Sequence, residues 1–289
     1  MKVKVIGVSG YLGKLISDEL ALKGYNVSPI KRSFLYGLTE KLKNEISGAD
    51  VIINLAGAPI FQRWTKKNRK LIYDSRIITT QNLVRAINEL PETSRPKKFI
   101  AASAIGIYKS GYSHDESSNN FDEEFLGEVV TEWEKQSTLL HKNTQRIIYR
   151  IGPVLGKKSK TINNLLLPFK LGLGATIGSG KQPFPFIHEK DLVNAFIWAI
   201  EEYSGNDTFN LVAPQKITNR EFTFQLAKQL HRPVFFTLPE FLLKLIFGKA
   251  SELITQSPEV LSDKIQKAGF NFQYQDIAAT LHEIVNKNS

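Results

Sequence analysis

Gly7-Val8-Ser9-Gly10-Tyr11-Leu12-Gly13 places a glycine at every third position, between a strand-like Val3 to Val8 and a helix-like Leu12 to Leu22. The first glycine permits a tight bend, Gly10 lets bare main chain approach a pyrophosphate, and Gly13 lets helix and strand pack closely. Phosphates at such a turn meet free N–H groups and the positive end of the helix dipole. Because strand, loop and helix all stand where the spacing demands them, Gly7, Ser9, Gly10, Tyr11, Leu12 and Gly13 are expected to hold a dinucleotide.

A site that selects NAD usually carries an acidic residue about 20 residues further on, for the ribose 2'-hydroxyl. Here the second strand, Asn26 to Ile30, runs into Lys31-Arg32-Ser33, with no carboxylate. Ammonium and guanidinium groups pair with a 2'-phosphate, so NADP is expected over NAD, with Lys31 and Arg32 as its readers. The plainer reading of the two is a pair of solvated surface cations.

The elements that position these residues alternate. Further strands are expected at 51–55, Phe99 to Ala102 and Arg146 to Ile151, with helices over Ile72 to Leu90 and Phe125 to His141. That order predicts an α/β fold: a Rossmann-type doubly wound parallel sheet with helices on both faces. Beyond Gly156 the pattern loosens, a helix from Asp191 to Glu202 and a strand from Phe209 to Val212 return to the sheet, and the tail from Thr218 reads as a smaller, mostly helical lobe. The expected division is a dinucleotide-binding domain over 1–156 and a substrate-side and C-terminal lobe over 157–289, with segments near 184–212 rejoining the sheet.

Composition narrows the chemistry. The 289 residues include no Cys, which excludes a disulfide scaffold, a thiol nucleophile and a thiolate-held metal centre. The five His are at least 27 residues apart, with no pair to share one helix face, so metal catalysis is not expected. Lys plus Arg at 38 against Asp plus Glu at 28 gives a net +10, but the cations are scattered and no basic and aromatic segment resembles an RNA-recognition signature. No specific nucleic-acid partner is expected. The strongest candidate for a membrane segment, Phe241 to Phe247, is short and contains Lys244, and no cleavable apolar leader follows Met1, so neither a membrane partner nor export is expected and the cytoplasm is the default location.

Several segments together resemble one family. The glycine loop, 54–60 (Asn-Leu-Ala-Gly-Ala-Pro-Ile), 103–108 (Ser-Ala-Ile-Gly-Ile-Tyr), Trp133-Glu134 and 150–156 (Arg-Ile-Gly-Pro-Val-Leu-Gly) are similar to an atypical branch of the extended short-chain dehydrogenases/reductases, the nucleoside-diphosphate-sugar epimerase-like proteins. Pro185-Phe186-Ile187-His188, Asp191-Leu192, 210–214, Arg232-Pro233 and 268–272 carry the resemblance through a small C-terminal domain, over nearly the whole chain. The resemblance implies a nicotinamide dinucleotide bound along Leu55, Ala56, Gly57, Ala101, Ser103, Pro153 and Val154. It implies no particular substrate.

It also implies a Ser after the fourth strand, and Ser103 matches it. The partner Tyr and Lys of the usual short-chain mechanism fall near Leu126 and Val130, and no Tyr-x-x-x-Lys occurs in the chain. Apolar side chains exchange no proton, so the usual mechanism is in doubt. Tyr108 matches a Tyr carried beyond the fourth strand and is the alternative proton donor; equally, its ring simply packs against the loop.

Candidate substrate contacts are Arg63 and Trp64 after the third strand, Arg150 at the end of the fifth, and His188. Arg63 and Trp64 together suit a phosphate or sugar, or else an Arg covers a half-buried Trp. His188 stands three residues before Asp191, which sits where a helix N-cap belongs, and a structural His is the plainer reading. Glu132 and Glu134 flank Trp133 and point away from each other, so they form no glycosidase-like pair. The expected function is an NADP-dependent oxidoreductase or epimerase-like enzyme acting on a small polar, nucleotide-linked or simpler substrate. The alternative is a cofactor-binding regulatory or sensor protein without turnover. No oligomeric state is predicted.

Overall fold

The computed structural model describes residues 1–286. Six parallel strands form the central sheet: β1 (Lys2–Ile6), β2 (Asn26–Ile30), β3 (Val51–Asn54), β4 (Lys98–Ala104), β5 (Gln145–Ile151) and β6 (Asp207–Leu211), in the spatial order β6-β5-β4-β3-β1-β2. Their near-continuous apolar runs are what a parallel sheet covered on both faces requires.

On one face Val3, Val5, Ile53, Ile100 and Tyr149 pack against Ile16 and Leu20 of α1 (Tyr11–Leu22) and Leu192 and Phe196 of α7 (Glu189–Glu201). On the other, Ile6, Ile52, Phe99 and Ile148 meet Leu42 and Ile46 of α2 (Thr39–Ile46) and Leu83 and Ile87 of α4 (Ile77–Asn88). Lys98 ties the sheet to the end of α7, donating to the carbonyls of Ala199, Ile200 and Tyr203 at 2.8 Å each. A cation is suited to that negative helix end.

The chain leaves β1 toward β2 on one side and reaches β3 on the other, so the strand order switches between β1 and β3. The crevice outside the carboxyl ends of two such strands is where open α/β sheets receive ligands. Both the glycine loop and the 54–60 loop open into it.

One expected helix is two. Instead of running unbroken from Ile72 to Leu90, the chain forms α3 (Lys66–Asp74), turns through Ser75 and Arg76, and restarts as α4. The break is held by the Ser75 hydroxyl, which accepts from the Ala58 N–H and donates to the Ile72 carbonyl. Behind it, α5 (Phe125–Thr138) packs Val129 and Trp133 against Ile72 and Ile77.

The smaller lobe gathers α6 (Lys160–Lys170), α8 (Asn219–Gln229), α9 (Glu240–Phe247) and α10 (Ile277–Asn286). Its core joins Ile162, Phe169, Phe222, Leu226, Ile277 and Leu281. No helix among the described residues is long and apolar enough to cross a membrane.

Candidate cofactor and active site

Gly7 takes a φ of +89°, and a Cβ there would stand 2.8 Å from the Leu55 carbonyl oxygen. At Gly13 a Cβ would lie 2.1 Å from the Gly7 carbonyl oxygen and 2.9 Å from the Val8 Cα. The two glycines let the turn, the start of α1 and the end of β3 close on one another. Gly10 is the N-cap of α1 and supplies no side-chain acceptor, so the first amides of the helix keep their donor capacity. Ser9 and Gly10 are exposed at the mouth of this crevice, and Tyr11 and Leu12 are half-buried beside it.

Tyr11 is held from the other side of the crevice. Its hydroxyl donates to Glu189, the first residue of α7, and the same carboxylate accepts from the Lys157 N–H. Burial first, then the Glu189 contact, raises the Tyr11 pKa well above that of a free phenol. Gly156 makes room for the pair, because a Cβ there would overlap both Glu189 and Tyr11. The repeat of glycines identified Tyr11; nothing in the local pattern singled out Glu189, 178 residues away.

Lys31 and Arg32 follow β2 directly and are exposed, with Lys31 as the N-cap of a short helix, 32–35. Among the described residues neither forms an ion pair within 4.0 Å. The 54–60 loop leaves β3 at the centre of the crevice, with Leu55 and Ala56 half-buried and Gly57 exposed. Ala101 is buried within β4, while Pro153 and Val154 follow β5 and Val154 pairs with Ile187.

The two hydroxyls nominated for proton transfer are engaged elsewhere. Ser103 is 5% exposed and donates to Glu134. Tyr108 is 1% exposed, donates to the Asn210 side-chain oxygen at 2.8 Å and accepts from Arg150 Nη1 at 2.7 Å. Its ring stacks on His114 with centroids 4.8 Å apart. Burial pushes the phenol up, and the Arg150 contact offsets this only in part.

Arg150 makes a fork-to-fork pair with Glu134, Nε to Oε1 at 2.9 Å and Nη2 to Oε2 at 2.8 Å. Burial alone would lower the guanidinium pKa, yet Glu134 and Tyr108 hold it above its ordinary value. Arg63 donates from Nε and Nη2 to the carbonyls of Ile246 and Leu245 at the end of α9. Trp64 donates to the Ile60 carbonyl and meets Phe125 edge-on. Leu126 and Val130, where the resemblance places the acid-base pair, lie on α5.

His188, not Asp191, caps α7: its Nδ1 accepts from the Lys190 N–H, while Nε2 faces Glu283 of α10 at 3.2 Å. Asp191 lies a turn inside, fully buried, because its carboxylate accepts the Gln273 and Tyr274 N–H groups. Tyr274 stacks on the imidazole at 3.8 Å, and Lys190 shares Glu283.

Burial holds the His188 pKa below 6.5 despite the pull of Glu283. The unfolded chain then takes up a proton near pH 6.5 that the folded chain does not, so this contribution is present above that pH and lost as pH falls toward the depressed value. His188→Asn keeps a capping acceptor and removes the titration. The urea midpoint of the variant should fall less steeply between pH 7 and pH 5 than that of the parent; parallel curves would remove His188 as the source.

A profile described as the NAD dependent epimerase/dehydratase family matches residues 3–212, and one for a domain of unknown function, DUF1731, matches 238–284. Human epimerase family protein SDR39U1 is 32% identical over 294 residues, 99% of this chain and 100% of the relative. Bacillus subtilis epimerase family protein YfhF is 32% identical over 300 residues, 99% of this chain and 98% of the relative. The crystal structure of human SDR39U1 (isoform 2) with NADPH matches at a TM-score of 0.92 and 30% identity, covering 100% of both chains. A UDP-N-acetylglucosamine 4-epimerase from Bacillus cereus shares the fold at a TM-score of 0.76 and 19% identity, covering 99% of each chain.

Proposed function

We infer that this chain, which belongs to the NAD dependent epimerase/dehydratase family, binds a nicotinamide dinucleotide between β1 and β3, prefers its 2'-phosphorylated form, and acts as an oxidoreductase or epimerase-like enzyme on a small polar substrate. The observation that carries the reading is the closure of Gly7, Gly13 and Leu55 on one another, a cradle that any Cβ at Gly7 or Gly13 would fill. Its exposed side presents main-chain amides, which suit a diphosphate. The human relative crystallised with NADPH supports the same assignment.

Within this reading Gly10, Tyr11, Leu12 and Gly13 hold the diphosphate through the start of α1, and Lys31 and Arg32 pair with the 2'-phosphate. Leu55, Ala56 and Gly57 line the crevice from β3; Ala101, Ser103, Pro153 and Val154 extend the lining across β4 and β5. The nicotinamide, when bound, supplies hydride exchange at a carbon centre. Glu189 orients the Tyr11 ring over the mouth. The protein's part is position and the exclusion of water.

Lys31→Gln with Arg32→Gln tests the preference. Two charge-assisted contacts at about 1–2 kcal/mol each predict a loss of NADPH affinity of about thirtyfold to nearly a thousandfold, with NADH affinity changed by less than about threefold. Reduced-nicotinamide fluorescence titrations read both. Equal losses for the two cofactors would dismiss NADP as the preferred form.

A second reading, a cofactor-binding protein without turnover, is favoured by one observation: Ser103 and Tyr108 have already committed their protons to Glu134 and Asn210. Nicotinamide absorbance that stays constant across a panel of carbonyls and sugar nucleotides, with NADPH bound, would select it. Turnover with any of them would select the enzyme.

A further inference from the structure

Arg76 stands in the break between α3 and α4, with its guanidinium against exposed Gly57 of the loop leaving β3. A Cβ on Gly57 would lie 2.9 Å from Nη2 and 3.0 Å from Cζ, so a side chain there would displace the guanidinium from this position. Below, Cζ is 5.4 Å from the centroid of the buried Trp133 ring. Nη1 donates to the Ile72 carbonyl at a long 3.3 Å. Among the described residues no carboxylate lies within 4.0 Å, and Nε and Nη2 have no protein acceptor.

This is a costly arrangement. A part-buried cation without a counter-charge gives up hydration that no carboxylate replaces, and native proteins usually pair such groups. Burial drags the Arg76 pKa down to about 10, the direction a desolvated, uncompensated guanidinium takes. The other candidate cations differ: Arg150 is neutralised by Glu134 and Arg63 is spent on helix carbonyls.

The surroundings of Arg76 are fixed but do not neutralise it. Asn54 Nδ2 and Trp133 Nε1 both donate to Thr80 Oγ1, at 3.0 and 2.9 Å. Asn54 Oδ1 accepts from the Ala56 N–H, and Ser75 accepts from the Ala58 N–H. The main chain on either side of Gly57 is therefore pinned, and the amino end of the 12-residue α4 begins at the next residue after Arg76. Its dipole adds positive potential at the same place.

We propose that Arg76 anchors an anionic group of the substrate, a carboxylate or a phosphate, received at the exposed face of Gly57. The inference rests on the cofactor reading only in placing this anion beside the dinucleotide crevice, two residues beyond Leu55. A planar guanidinium whose Nε–Nη2 edge is unspent takes such a group bidentately. The substrate class is thereby narrowed from polar to anionic.

Inorganic phosphate is the probe, titrated by calorimetry into the full chain with and without saturating NADPH, after NADPH affinity has been measured for each variant. Phosphate should bind the NADPH-saturated protein, and Arg76→Gln should weaken that binding by at least about tenfold while NADPH affinity changes by less than about threefold. Arg76→Lys keeps the charge without the fork, should lose at least about threefold, and carries the comparison if the Gln variant does not fold. Phosphate binding that survives both substitutions overturns the proposal, as does none in the parent protein. Phosphate binding abolished by NADPH, with NADPH affinity falling about tenfold in Arg76→Gln, also overturns it and gives Arg76 to the dinucleotide's own phosphates. Failure of the parent to bind NADPH refutes the cofactor reading instead, and the titrations without NADPH still decide Arg76.

Discussion

Gly13→Ala will lose NADPH binding by at least about a hundredfold and lower stability by about 1–3 kcal/mol. The added Cβ would meet the Gly7 carbonyl oxygen at 2.1 Å, the Gly7 carbonyl carbon at 2.6 Å and the Val8 Cα at 2.9 Å. All three are main-chain atoms, so no side chain can swing aside. Alanine is the better helix former by about 1 kcal/mol, but the clash outweighs that gain. Relief requires α1 to move off the Gly7 turn, which carries the diphosphate amides with it. Fluorescence titration and urea unfolding read the two effects. Gly24→Ala is the control: φ is +83° there but nothing lies within 4 Å of the new Cβ. It should cost about 1 kcal/mol of strain and leave NADPH affinity intact.

Glu134→Ala is expected to cost about 3–5 kcal/mol, because it leaves Arg150 buried without its counter-charge. Side-chain exposure of the pair is 7% for Arg150 and 14% for Glu134, and four groups meet there: Ser103, Tyr108, Glu134 and Arg150. Replacing both charged partners, Glu134→Leu with Arg150→Met, should recover much of the loss, since a neutral pair of similar volume carries no stranded charge. Urea midpoints of Glu134→Leu, Arg150→Met and the double variant complete the cycle. A single substitution that costs less than about 1 kcal/mol would mean that water reaches Arg150 and the pair is not a buried one.

How far the chain disclosed itself differs between the two halves of the site. The glycine cradle was legible because its geometry is local: a strand, a turn at every third residue and a helix leave one way for the backbone to go. The parallel sheet with helices on both faces followed from apolar runs alternating with helical spacing. The commitments of Arg63, Arg150 and His188 were not legible, since their partners sit 183, 16 and 95 residues away and only the folded chain brings them together. Arg76 was hidden inside a stretch that reads as one continuous helix. A signal did exist: the apolar core positions step from Ile72 to Ile77, five residues where a helix face repeats at three or four. Asp191 was misplaced at the cap for a related reason, as its acceptors' donors, Gln273 and Tyr274, lie more than 80 residues downstream.

The position of β6 also governs how the molecule is assembled during translation. β5 is complete at Ile151, but the strand that covers it begins at Asp207, so the ribosome must deliver 55 further residues before that flank is sealed. At about 5–20 residues per second this leaves several seconds with bare ladder groups along a sheet edge, a template for pairing between nascent chains. Asn210, the acceptor for Tyr108, arrives only with that last strand. A fragment that stops at Gly156 would keep this unfinished border permanently, and aggregation during expression is its expected fate.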